Sequence, residues 1–550
     1  MSVIFNLFNS IAFERTASKI VETFFDSIVA SVVKALYRSS GESLQSITRL
    51  THLPSKQVLQ ALVSLIQHNL ASFEYTPQRQ VHYRLNKANI FYLLRKNKYI
   101  HHVREKLGVA AELVVERVLE EGSITASQVI VCTTCKLLMT DLSSAVDRAN
   151  QNPGDRHIIV RDALRQLIEL GYLERCASPS SPAPPCCPLL VKPSSDDKHR
   201  FLPDDHLNLQ LIAQAVTENV ETSSSSSGAI LPDASSFPDG KIYWRLNYDA
   251  FHLQWRDTLL VTSVEKNVGA EVGLVFRGLL QVAYSTVEDK WQSGVYTTAA
   301  HVKHALNSAP HLEHCLQLLG EGESGGCVRR IGVGGGGGEY QIEVAQLVAH
   351  ITAEFLAKRI KEMFGSKAAR VFRLVMRNHI VSADMIASAC LLDKKEADQV
   401  SNMLFLNQIL LVHDLRKASM PSSHTPELLF FKVNFLEVVR LTASQCFTEL
   451  YNLLRKRELL TEKNRSLMEK KTRVDAIVDN IVKSGATQEQ IQDIEEMLTD
   501  AERTAVTKWL KQQDQILTVV SGITDDIFLF ELFSRYYCHV DDLSVGRSAA

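Results

Sequence analysis

One pattern constrains this chain more than any other: a short apolar helix, a turn, a longer amphipathic helix and a β-hairpin, written more than once in the same order. In Leu44 to Glu74 an apolar segment, a turn at Pro54 and the amphipathic stretch Ser55 to His68 lead into Leu70-Ala-Ser-Phe-Glu-Tyr. A turn at Pro77 and Val81-His-Tyr-Arg-Leu follow. About a hundred residues later Ala163-Leu164-x-x-Leu167-Ile168 repeats Ala61-Leu62-x-x-Leu65-Ile66 and runs into Gly171-Tyr-Leu-Glu-Arg. The pattern returns at Val381 to Asp414, with a polar turn at Asp393-Lys-Lys and a closing Phe430-Phe-Lys-Val, and a more diverged copy is expected at Tyr248 to Met363. Helix, turn, helix and trailing hairpin is the winged-helix plan. The expected fold class is mainly α with small β wings: tandem extended winged helices, then a C-terminal antiparallel helical coiled-coil hairpin.

The hairpin is read from a three-four alternation of apolar residues between Leu436 and Ile481 without Pro or Gly. Ser484-Gly485-Ala486 is expected to stop this rod, and Thr487-x-x-Gln490 to cap a return helix carrying Ile491, Ile494, Leu498, Ala501 and Ala505. Arg457, Asn464 and Lys471 interrupt the seam. Polar seam residues fix register or face a partner, so these three are candidate partner-binding positions.

A chain of 550 residues exceeds one core and calls for several folded units. The expected division is an N-terminal extension 1–14, winged helix 1 at 15–95, winged helix 2 at 96–247 and winged helix 3 at 248–362. Winged helix 4 at 363–433, the hairpin at 434–520 and a C-terminal segment 521–550 complete it. Prolines and the run Ser223 to Ser227 make 177–240 an expected disordered insert of the second unit, and glycines make 320–338 a loop of the third. The glycine run lacks the Lys-Ser or Lys-Thr of a phosphate-binding loop.

Lys plus Arg at 60 against Asp plus Glu at 62 leaves a charge of −2, so any nucleic-acid contact must use a local patch. No stretch of 18 uncharged apolar residues is present, and the apolar start Met1 to Phe13 lacks a secretory pattern; a reducing compartment is expected. Cys132-x-x-Cys135 has no second pair at zinc-site spacing and reads as two buried thiols. His101-His102 and His311 with His314 lack a carboxylate-rich third ligand. No catalytic motif of the HExxH, GxSxG or phosphate-loop type occurs, so catalytic residues, metal, cofactors and a small-molecule substrate are all expected to be absent.

The charged feature that stands out is Arg79 to Lys106, where Arg79, Arg84, Lys87, Arg95, Lys96, Lys98, Arg104 and Lys106 face Glu105 alone. Tyr83, Phe91, Tyr92 and Tyr99 are interleaved. Cations neutralise phosphates and aromatic faces stack on unpaired bases, which makes Arg79, Arg84, Lys87, Arg95, Lys96 and Lys98, with Lys56, candidate nucleic-acid-binding residues. The competing reading is a solvated basic face with its aromatics packed inward. Within Ser55 to His68 a single lysine and no arginine argue against base reading and for docking on protein.

Val58 to Leu70, Phe364-Gly-Ser-Lys-Ala-Ala-Arg-Val-Phe-Arg-Leu-Val, Glu462-Lys-Asn-Arg and Ile494-Glu-Glu-Met resemble, in order, the winged-helix subunit of eukaryotic RNA polymerase III, the subunit C3 family, largest member of its initiation heterotrimer. The resemblance covers about Arg15 to Tyr537. It implies a non-catalytic nuclear subunit of a DNA-directed RNA polymerase that docks with two smaller partners on the clamp of the largest subunit. It further implies contact with the TATA-binding-protein-containing initiation factor and help in opening promoter DNA, contacted non-specifically or as single strands, at short non-coding RNA genes. The alternative is a winged-helix and helical scaffold subunit of another complex, with no DNA role.

Overall fold

The computed structural model describes residues 7–39, 41–75, 80–143, 156–179, 190–191, 195–201, 207–223, 231–287, 290–291, 294–298, 311–320, 327–332, 339–414, 429–483 and 497–537. The chain divides into two compact units, Ala17–Gln254 and Met1–Thr16 with Trp255–Ala550.

Ahead of the first wing lie α1 (Ile11–Phe24), α2 (Ser27–Tyr37), α3 (Leu44–Thr51) and α4 (Ser55–Gln67). Val58, Ala61, Leu62 and Leu65 recur at helical spacing and are all buried, which fixes the inward side of α4. β1 (Ala71–Tyr75) and β2 (Val81–Leu85) then pair antiparallel, Ala71 opposite Leu85 and Tyr75 opposite Val81. The reversal between α4 and β1 uses Asn69 at φ 56°, and the Leu70 amide donates to Leu65 O at 2.8 Å. This left-handed C-terminal cap turns a helix sharply into a strand. The same device recurs at Gly171 (φ 78°, Tyr172 N to Leu167 O 2.9 Å) and Gln408 (φ 60°, Ile409 N to Leu404 O 3.0 Å).

α5 (Lys87–Tyr92), a 3-10 turn at Leu93–Arg95 and α6 (Lys96–Leu107) lead to α7 (Val109–Glu121), β3 (Ile124–Thr125), α8 (Ala126–Ser143), α9 (Arg156–Glu169) and β4 (Leu173–Arg175). β5 (Ser178–Pro179), β6 (Leu190–Val191), α10 (Ser195–Lys198) and α11 (Leu209–Ser223) precede β7 (Tyr243–Leu246), the central strand of the sheet β3-β7-β4. The insert expected to be disordered is corrected here, because α11 lies inside 177–240 and packs on α8. Ile212 and Val216 are buried, and Asp239, fully buried, accepts from Ser127 N at 2.9 Å and Ser127 Oγ at 2.7 Å. Apolar residues at three-four spacing in α11 outweigh the Ser- and Pro-rich composition around them.

In the second unit α12 (Tyr248–Asn267), which it enters at Trp255, is followed by α13 (Ala270–Thr286), β8 (Val295–Thr298), α14 (Leu312–Gly320), β9 (Val328–Gly332) and β10 (Glu339–Ile342), with sheet order β8-β10-β9. Next come α15 (Val344–Phe364), α16 (Ser366–Asn378), β11 (Val381–Ser382), α17 (Ala383–Ala389), α18 (Lys394–Leu406), β12 (Leu410–Asp414) and β13 (Leu429–Val433), with order β11-β13-β12. Gly108 (φ 85°, ψ −172°), Gly269 (φ 142°, ψ 161°) and Gly365 (φ 88°, ψ 173°) separate each long connecting helix from the next winged unit. These backbone angles belong essentially to glycine alone.

α19 (Phe435–Lys463), α20 (Arg465–Lys483) and α21 (Asp500–Tyr537) form the helical hairpin. Its core is densest along α19, where Phe435, Val438, Val439, Thr442, Ala443, Cys446, Phe447, Leu450 and Leu454 are buried. The unbroken rod expected to Ile481 is corrected: Asn464 ends α19, its side-chain amide donating to Leu460 O at 2.7 Å. The expected capping box Thr487-x-x-Gln490, with Ile491 and Ile494, lies outside the described residues. A capping box forms at Thr499 and Glu502, where the Thr499 amide donates to Glu502 Oε2 at 3.0 Å and the Glu502 amide to Thr499 Oγ1 at 3.3 Å. Neither terminal boundary of the expected division stands as a break. α21 runs past 520 to Tyr537, and Phe8 and Phe13, from the expected extension, stack on Phe447 at centroid distances of 6.2 and 4.9 Å.

Candidate nucleic-acid interface

The basic stretch after β2 does not form one cationic face, because its 3-10 turn rotates part of it inward. Arg95 is 2% exposed. Its Nη1 lies 3.4 Å from His252 Nε2, and its guanidinium sits over Phe91 (4.8 Å) and Tyr92 (5.5 Å). Tyr99 is fully buried, with its hydroxyl 2.9 Å from the same His252 nitrogen. A further turn along α6, His102 Nε2 lies 2.9 Å from Gln254 Oε1, which also accepts from the Tyr172 hydroxyl at 2.8 Å and from Lys106. Burial pushes the His102 imidazole below its ordinary range, with Lys106 adding to the effect and the Gln254 bond opposing it.

Two expectations are therefore corrected. Arg95 is a core residue joining α6 to the first turns of α12 and cannot reach a phosphate. Phe91, Tyr92 and Tyr99 pack inward and present no stacking surface to bases. Sequence alone left both readings of these aromatics open, and burial decides between them.

The other candidates are dispersed. Lys56 is exposed at the start of α4, beside the exposed apolar side chains Leu59 and Val63. Arg84 is exposed and lies 3.6 Å from Glu74 across the wing. The Lys87 ammonium sits 4.1 Å over the Tyr37 ring. Lys96 and Lys98 are half-buried at the start of α6. The Lys96 charge helps burial hold the His68 imidazole below its usual value, which places that ammonium near the end of α4. Arg79 lies outside the described residues. Lys96 and Lys98 are thus the one close pair that remains, with Lys56, Arg84 and Lys87 as separate cations.

The seam candidates are occupied within the hairpin. Arg457 Nε donates to Gln513 Oε1 of α21 at 3.3 Å, Asn464 caps α19, and Lys471 lies 3.9 Å from Asp475 one turn on. Register within the hairpin accounts for Arg457, whose partner lies on α21, whereas the Asn464 bond stays within α19.

Cys132 and Cys135 are buried on α8, where burial raises both thiols, Cys135 to about 11. Among the described residues no group of three or more His, Cys, Asp or Glu side chains could hold a metal ion, and no helix is long and apolar enough to cross a membrane. The charge pattern of α16, with four cations and no acid, is a signal that sequence reasoning missed, since nothing in the residue order says which way those cations point.

Three family models match the chain in order. The RNA polymerase III subunit RPC82 helix-turn-helix domain covers residues 15–74, the POLR3C C-terminal winged-helix domain 356–432, and the DNA-directed RNA polymerase III subunit RPC3 helical hairpin domain 466–529. Among curated relatives, the human protein named DNA-directed RNA polymerase III subunit RPC3 is 26% identical over 548 residues, covering 94% of this chain and 97% of its own. Those of the same name from Rattus norvegicus and Danio rerio are 27% and 24% identical over the same shares. With winged helices at one end of that order, a helical hairpin at the other and relatives aligned between them, the chain is similar along almost its whole length to the RPC3 subunits of RNA polymerase III.

Proposed function

We propose that this RNA polymerase III subunit is non-catalytic and works in the nucleus. In this reading it forms a heterotrimer with two smaller partners, docks on the clamp of the largest subunit and contacts the TATA-binding-protein-containing initiation factor. There it helps open promoter DNA at short non-coding RNA genes. The observation that carries the reading is the ordered match of three domain models of one subunit along a single chain. The same reading takes 15–95, 96–247, 248–362 and 363–433 as the four winged helices.

Physical support comes from the surfaces. The outward side of α4 offers Leu59 and Val63, and around α18 Leu391, Phe405 and Leu406 are exposed at 85, 45 and 78%. Apolar side chains left on the surface of a winged helix suit burial against a neighbouring subunit better than insertion into a DNA groove. Lys96 and Lys98, with Lys56, Arg84 and Lys87 as dispersed further cations, supply the DNA contact of this reading, limited to the phosphate backbone. Partner contact at Arg457, Asn464 and Lys471, each half-buried, stays part of this reading.

Purification of the tagged full-length chain from nuclear extract, with quantitative mass spectrometry, tests the assignment. Stoichiometric recovery of RNA polymerase III subunits is the expected result. Recovery of a different complex in their place contradicts it.

A further inference from the structure

Helix α16, Ser-Lys-Ala-Ala-Arg-Val-Phe-Arg-Leu-Val-Met-Arg-Asn, carries Lys367, Arg370, Arg373 and Arg377 and no acid, in a chain whose cations and acids as a whole nearly balance at 60 and 62. All four cations are exposed. At 3.6 residues per turn the three arginines fall within about 60° of arc. They point away from Ala368, Val371, Phe372 and Val375, which are buried. The row from Arg370 to Arg377 rises about 10 Å along the axis.

Two of the four cations are engaged: Lys367 pairs with Glu396 at 2.8 Å, and Arg370 Nη1 donates to Cys390 O at 3.0 Å. Arg373 and Arg377, one turn apart, have no acidic partner among the described residues. Other arginines on helix surfaces do have one, such as Arg117 with Glu121 at 2.8 Å, Arg165 with Glu169 at 2.8 Å and Arg465 with Glu469 at 3.0 Å.

The occupant follows from what this helix lacks. A protein interface is built around buried apolar or aromatic anchors. Between Ser366 and Asn378 no large apolar side chain is exposed, and Leu374 and Met376 are half-buried. A bare row of guanidinium groups suits phosphate, which accepts their paired donors in a plane. We infer that the outer side of α16 is a second nucleic-acid backbone contact, separate from Lys96 and Lys98, in which Arg373 and Arg377 bind successive phosphates. Phosphate oxygens carry no base identity, so the contact is independent of sequence, and without an exposed aromatic residue the helix adds no stacking to it. This rests on the reading that the subunit works against DNA, and it adds a place and a mode of contact.

The test uses the full-length chain and fluorescence anisotropy with a labelled 20-nucleotide single strand and the matching duplex, over a salt series. R373E/R377E is expected to bind at least one of them tenfold or more weakly near 0.1 M salt. The slope of log affinity against log salt should fall by about 1.5, at 0.7 to 0.9 per lost phosphate contact. R373K/R377K keeps the charge and should keep the slope. Both side chains are exposed, so an unchanged melting curve checks that the fold is intact. Unaltered affinity and slope for both oligonucleotides overturns the inference. So does loss of binding to a polyglutamate probe while both oligonucleotides bind as before, since that makes the surface an acidic-protein dock. R373E/R377E should still co-purify with polymerase subunits. Failure of the oligonucleotide result therefore leaves the subunit assignment standing, and failure of co-purification by the wild-type chain strikes the assignment alone.

Discussion

Replacing Arg95 by alanine separates a core role from a DNA-contact role. The side chain is 2% exposed, lies 3.4 Å from His252 Nε2 and covers the Phe91 and Tyr92 rings. Losing a hydrogen bond from a charged group costs about 1.5–3 kcal/mol and a desolvated cation–π contact about 2 kcal/mol. The two overlap, and removing a buried charge recovers part of its desolvation cost. The net loss is about 3 kcal/mol, concentrated where α6 meets the first turns of α12. Amide hydrogen exchange followed by mass spectrometry reads that locally, and 3 kcal/mol corresponds to roughly a hundredfold faster opening of peptides within 87–107. R95M, which fills the space without the charge, should recover much of the protection. Exchange of R95A at the wild-type rate, together with weakened oligonucleotide binding, would refute the assignment of Arg95 to the core.

K96E/K98E should leave exchange in α6 nearly unchanged while lowering the salt slope of oligonucleotide binding by about 1.5, measured by anisotropy. Gly365 sits at φ 88°, and a methyl group added there would meet nothing within 4 Å, so G365A incurs backbone strain alone, about 1–3 kcal/mol in denaturant unfolding. Gly522, inside α21 with equally open space, gives the opposite sign: G522A should gain about 0.5–1 kcal/mol. Burial pushes the Asp526 carboxyl up to about 6, with Asp525 adding to the rise and Arg359 opposing it. The folded state then holds this proton between about pH 4 and 6 while the unfolded chain releases it, so stability falls as pH rises through that window. D526N should remove this slope and stabilise the protein at pH 7 by about 1 kcal/mol after allowance for solvent screening, as read by chemical denaturation at both pH values.

What sequence could reveal was decided by periodicity. Val58, Ala61, Leu62 and Leu65 announce α4 because burial on one side of a helix demands that spacing, and Pro77 between alternating residues announces the β1–β2 hairpin. The turn at Asp393 and the strand that contains Phe430 are legible for the same reason. Composition misled where periodicity was sparse: α11 lies among serines and prolines, yet Ile212 and Val216 suffice to hold it on α8. Asn464 reads as one more polar seam position, but its amide can satisfy the Leu460 carbonyl, and the helix ends there.

The candidate site was less legible than the fold because charge in a sequence carries no direction. Arg95 and Lys96 are adjacent, yet one is in the core and the other is half-buried, set by the single 3-10 turn between α5 and α6. The α16 row was present in the sequence as four cations without an acid, and it becomes a surface only when Ala368, Phe372 and Val375 are seen to occupy the opposite side.

Depletion and add-back in a nuclear transcription extract bears most directly on the claim that the chain assists initiation and catalyses nothing itself. With the subunit removed, transcripts from the promoter of a short non-coding RNA gene should be lost, and the full-length recombinant chain with its two partners should restore them. RNA synthesis from a template with a preformed single-stranded start should continue at the undepleted rate. Loss of synthesis on that open template as well, with the rest of the polymerase intact, would contradict the account.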